Sequence, residues 1–168
     1  MITYKEGDIV VYSSEGLCEI DELTEKKFDG KVIGYYVLRS LYNKNSVTYV
    51  PMNNEKSLSK MRHILNREEI MSLIAEMPEE VMPWIKNDRD RQKAFKEILI
   101  YGDSKDLVRL TRTLYMHREE QMAKGKKLHL SDERVFKEAE NLIYEEISYV
   151  MDIPRDQVLN FITDKMLH

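Results

Sequence analysis

Trp84 is the single tryptophan of this 168-residue sequence, and Lys86, Arg89, Arg91, Lys93 and Lys96 follow it closely. One chemistry suits that grouping: ammonium and guanidinium groups hold phosphates while a wide, rigid ring enters a base step from the minor groove. Lys126 and Lys127, in the run Lys124-Gly125-Lys126-Lys127, extend the cationic set with Arg109, Arg112 and Arg118, whereas Glu119 and Glu120 dilute it. The formal charge of −4 conceals this segment. From Trp84 to Lys127 there are 12 Lys+Arg and 7 Asp+Glu, a net of +5, and the remaining residues carry a net of −9. Contact with DNA through such a segment is expected to be weak, salt-sensitive and not sequence-specific. The residues alone leave a second role open. Tryptophan is highly buried on average, and composition by itself favours Trp84 as a plug at the junction between two modules.

Other chemistries lack their constellations. No Gly-x-x-x-x-Gly-Lys loop, His-Glu-x-x-His pair or Gly-x-Ser-x-Gly elbow occurs, so no enzymatic activity, cofactor or small-molecule substrate is expected. His117 and His129 flank the basic run with no cysteine nearby and are expected on a solvated surface, not on a metal. Asp88 and Asp90 point to different faces of a helix, so they cannot act as an acid and base pair on one substrate; Asp88-Arg89-Asp90-Arg91 reads as a solvated, self-neutralising helix surface. Cys18 is the only cysteine, which excludes an internal disulfide, and its strand-like surroundings predict a small buried apolar group. No apolar run approaches the roughly 20 residues of a membrane span. Because the first residues also lack a signal-peptide pattern, the expectation is a cytoplasmic protein without a membrane partner.

Two kinds of element must position these residues. Over the first fifty positions β-branched and aromatic residues cluster between turn formers: Ile9–Tyr12, Leu17–Leu23, Gly34–Tyr42 and Ser46–Val50, with Asp29-Gly30 suited to a tight hairpin and Pro51 closing the series. About five short strands in so little chain predict a small SH3- or Tudor-like β-barrel over residues 1–55. After Asn53-Asn54 the apolar period changes from two to 3.6, and everything beyond reads as helical. Asn66 with Glu69 forms a capping box before a helix that Pro78 ends; Pro83 suits the first turn of the next, which stops at Gly102. Asp103 caps a third helix ending near Gly125, Ser131 starts a fourth, and Pro154 opens a last one with Val158, Leu159, Ile162 and Met166 inward. The fold class is therefore α+β, with an all-α bundle of four to five helices over residues 56–168.

Three stretches in this order and spacing resemble the CarD/CdnL family of bacterial RNA polymerase-binding transcription regulators. Tyr4-Lys5-Glu6-Gly7-Asp8-Ile9-Val10-Val11-Tyr12, then Glu15 to Ile20, is similar to the start of the polymerase-interacting module shared with the transcription-repair coupling factor. Tyr36-Val37-Leu38 and Val47-Thr48-Tyr49-Val50-Pro51 resemble its later strands; Trp84 with its basic followers, Tyr101-Gly102-Asp103 and Leu130 to Glu146 resemble the helical domain. The turn Ser13-Ser14-Glu15 departs from the Pro and His common in the family. The resemblance implies that the β module binds the β subunit of RNA polymerase by adding a strand edge, with Lys26, Val47, Thr48 and Tyr49 facing the polymerase. It also implies that Trp84, with Lys86, Arg89, Arg91, Lys93, Lys126 and Lys127 around it, wedges into promoter DNA at the upstream edge of the open complex. The rival reading is a protein-interaction adaptor that touches no DNA.

Overall fold

A computed structural model describes residues 3–77 and 81–167; Pro78, the expected helix stop, lies outside them. The chain divides into two units, Met1–Ile64 and Leu65–His168. In the first, β1 (Ile9–Tyr12), β2 (Gly16–Phe28), β3 (Lys31–Ser40), β4 (Val47–Pro51) and β5 (Met61–His63) form one antiparallel sheet in the order β4-β3-β2-β1-β5. The β2–β3 hairpin turns at Asp29 and Gly30, whose φ angles of 51° and 79° are what an Asp-Gly turn tolerates. Ser13–Glu15 forms a 3₁₀ turn, with Ser13 itself at positive φ. A bulge between Ile20 and Glu22 sets Leu23 opposite Tyr36, on the face already held by Ile20. That face packs Tyr4, Val10, Cys18, Ile20, Tyr36, Leu38, Val50 and Met61 into one cluster.

Two expectations for this unit are corrected. The barrel is not closed: β4 and β5 lie at opposite edges of the sheet, because the chain leaves β4, makes the single helical turn α1 (Glu55–Leu58) and returns beside β1. The unit also runs past residue 55. Met61–His63 pairs with β1, so the β structure extends to Ile64, and three residues are too few to show a period in sequence.

Cys18 lies in this cluster, with its thiol pushed up to about 12 by burial and then by the negative charge of Glu15. Since the thiolate is the nucleophile, iodoacetamide at pH 8 should leave Cys18 unmodified in the folded chain and alkylate it in denaturant. Mass spectrometry of the two samples reads the difference; equal labelling would refute the burial.

The second unit holds five α-helices among its described residues: α2 (Arg67–Glu76), α3 (Asp88–Tyr101), α4 (Ser104–Ala123), α5 (Leu130–Met151) and α6 (Val158–Leu167). Reciprocal capping boxes form at Asn66 with Glu69 and at Asp103 with Asp106, satisfying backbone groups that the helix itself leaves without partners. Ile70, Ile74, Phe95, Val108, Leu110, Leu114, Ala139, Ile147 and Val158 are the deepest members of one apolar core. Three boundaries differ from expectation. Asn87, not Pro83, begins α3, since the Asn87 side chain accepts from Asp90 N–H and leaves Met82–Lys86 without helical turns. His129 stands at the N-cap of α5 in place of Ser131, and a 3₁₀ turn at Arg155–Gln157 precedes α6. Leu159 and Met166, expected inward, are 57% and 39% exposed.

Candidate functional site

One edge of the sheet is open along β4, which among the described residues pairs with β3 alone. Ser46 C=O accepts from Ser40 N–H at 3.2 Å and Met52 N–H donates to Gly34 C=O at 2.9 Å, one on each side of β4. Alternation along an antiparallel strand then turns the backbone groups of Thr48 and Val50 to β3 and those of Val47 and Tyr49 to the open side. Pro51 has no N–H to add. The side chains follow the same rule: Val47 and Tyr49 are exposed, while Val50 belongs to the core on the other face.

Lys26 reaches this edge from β2. Its Nζ sits 3.9 Å from the centroid of the Tyr49 ring, and Tyr35 meets the same ring edge-on at 6.3 Å. The register explains the meeting, since Lys26 pairs with Ile33 and Tyr35 with Pro51, so β2 and β4 present these residues on one face across β3. Of the four sequence-derived residues, Lys26, Val47 and Tyr49 share a surface. Thr48 is only half-exposed, and its backbone is turned to β3.

A separate cationic cleft lies in the helical unit. The Met82 N–H donates to Thr113 Oγ1 at 2.9 Å, anchoring the extended segment that carries Pro83 and Trp84 onto α4. The Trp84 ring is half-buried, stacked on His117 with centroids 3.6 Å apart and planes 11° apart, and edge-on to Phe95 at 6.2 Å. Trp84, Lys86, His117, Lys126, Lys127 and His129 line a cleft of about 510 Å³. The structure thus gathers Trp84, Lys86, Lys126 and Lys127 and leaves exposed Arg89 and Lys93 of α3 outside the lining. His117 is not on a solvated surface as expected. Burial holds its imidazole below the ordinary histidine range, against the pull of Glu120 and Asp132, which keeps a neutral ring against the indole.

Arg91 is also corrected. It is 2% exposed, and its Nε and Nη2 donate to both carboxylate oxygens of Asp132 at 3.0 Å each. Nη2 also meets Asp88 at 2.8 Å, and Nη1 donates to the carbonyls of Ile85 and Lys86 at 3.1 and 3.4 Å. Asp132 is 0% exposed and accepts a further bond from Gln92 Nε2 at 2.7 Å. A guanidinium so engaged has no donors left for a phosphate. Arg91 instead ties α3 to the start of α5 and pins the segment following Trp84, its carbon Cζ 4.8 Å from the indole centroid. In sequence Asp132 is legible only as a carboxylate at a helix start; nothing local pairs it with a residue 41 positions earlier.

Among the described residues no group of three His, Cys, Asp or Glu is placed to hold a metal, and no helix is long and apolar enough to cross a membrane. Residues 4–64 match the sequence profile of the CarD-like/TRCF RID domain. No curated protein matches the chain.

Proposed function

With residues 4–64 forming a CarD-like/TRCF RID domain, the RNA polymerase-interacting domain of CarD-like proteins, we propose that this chain is a cytoplasmic transcription regulator that docks on the polymerase β subunit through the β4 edge and stabilises the promoter open complex through Trp84 and its basic cleft. The observation that carries the reading is the β4 edge itself. It offers the outward backbone groups of Val47 and Tyr49 to a partner strand, and the Lys26–Tyr49 pair beside them supplies a side-chain contact. No bond is made or broken in this role. Binding to polymerase raises the local concentration of a weak DNA contact, so Lys86, Lys126, Lys127 and one aromatic ring suffice. Arg89 and Lys93 remain exposed for phosphates outside the cleft. The adaptor reading draws on a different observation, the stack of Trp84 on His117, which occupies one face of the indole within the protein.

The edge is tested by Tyr49→Pro against Tyr49→Ala. Both lose the ring, but only proline removes the outward N–H, and the ladder to β3 does not use that donor. Loss of one hydrogen bond, worth ~0.5–1.5 kcal/mol net, predicts that the proline variant binds purified polymerase roughly three- to tenfold more weakly than the alanine variant. Equal affinities in a titration would remove the strand-addition mode.

A further inference from the structure

We propose that a second cavity, lined by α4, α5, α6 and Met77 and away from the Trp84 lining, binds a small amphipathic monoanion, an aliphatic or aryl acid, with its charged group on Arg112 and Arg118. The cavity is about 620 Å³, a size suited to a compact organic ligand. Two arginines line it. The Nε of Arg112, a lining residue, is buried and has no hydrogen-bond partner, a state that a buried cationic donor does not hold without cost. Arg118 lays its guanidinium over the Phe136 ring at 4.8 Å and the Tyr115 ring at 5.4 Å, and among the described residues it has no ion-pair partner. Stacked in this way, its edge donors stay available to an acceptor in the plane of the group.

The electrostatics give the sign of the ligand. Two guanidiniums and one carboxylate, Glu140, line the cavity. Burial pushes the Glu140 carboxyl up, although Arg118 and Arg155 pull it back, and the two arginines of the lining outnumber this one carboxylate. The apolar lining gives the body of the ligand. Leu159 and Met166 continue the apolar stripe of α6 yet remain exposed at the cavity while Ile162 is buried, so an aliphatic or aromatic body would cover surface that the helix packing leaves open. Neither an inorganic anion nor a neutral apolar molecule meets both halves of this lining.

The test uses the full chain and the fluorescent probe 8-anilinonaphthalene-1-sulfonate, with decanoate and decanol as competitors. Saturable one-to-one binding is expected, displaced by decanoate and not by decanol at equal concentration. Arg112→Gln and Arg118→Gln should each weaken binding about tenfold. Leu159→Trp, a change at an exposed position that leaves the core intact, should abolish binding by filling the cavity, and Trp84→Ala should leave it unchanged. Displacement by decanol as effective as by decanoate, or unaltered binding by Leu159→Trp, overturns the assignment.

Discussion

Asp132→Ala should lower the stability of the helical unit by about 3–5 kcal/mol, the loss that follows when one partner of a buried ion pair is removed and the other stays buried. Arg91 would keep Asp88, whose side chain is exposed, but would lose both bonds to Asp132, and Gln92 would lose its acceptor. At a urea dependence of ~1–3 kcal/mol per molar, the unfolding midpoint should fall by at least roughly 1 M. The charge, not the volume, carries this effect. Asp132→Asn should retain part of the stability through its remaining carbonyl acceptor, whereas the double variant Arg91→Met, Asp132→Leu should recover most of it, because apolar side chains need no partner. A loss below ~1 kcal/mol in Asp132→Ala would mean that water reaches the guanidinium and that the pair is not a brace.

The local rules of the sequence hold where one short stretch contains the whole signal. Asp29-Gly30 turns as its backbone preference requires, and Asn66 and Asp103 cap their helices, each within three residues of its partner. The α+β class follows from the change of period, but closure of the sheet does not. Closure depends on whether β4 and β5 meet, and β5 is too short to be recognised. Pro83 carries a valid helix-start signal that loses to Asn87, since an extended segment lets Met82 reach Thr113 and Arg91 reach the carbonyls of Ile85 and Lys86. Charge reading fails at Arg91 for a related reason. Counting cations along a segment treats each as solvated, yet a partner from a distant helix removes this one from the surface. Lys26 and Tyr49 come from resemblance alone; only the three-strand register explains why residues so far apart in sequence meet.

Trp84→Ala should leave polymerase binding unchanged and shorten the lifetime of the promoter open complex between about fivefold and a hundredfold, the range set by ~1–3 kcal/mol for one base–aromatic contact. Permanganate reactivity of the melted strands, followed after competitor addition, reads this lifetime directly. The expected size reflects how the ring is held: His117 stacked on it, Phe95 at its edge and the Arg91 guanidinium over it fix the indole, so little side-chain freedom remains to be surrendered when DNA arrives. The same stack limits the geometry. With His117 stacked on it and Arg91 over it, the indole must engage DNA by its exposed remainder, so His117→Ala should alter the lifetime without altering polymerase affinity. Lys126→Glu with Lys127→Glu separates the cations from the ring: it should weaken the same step and flatten its salt dependence by roughly one power of salt concentration for each phosphate no longer neutralised. If Trp84→Ala open complexes decay at the unaltered rate while Lys26 and Tyr49 variants still fail to hold polymerase, the β4 edge does all the work and the chain is an adaptor.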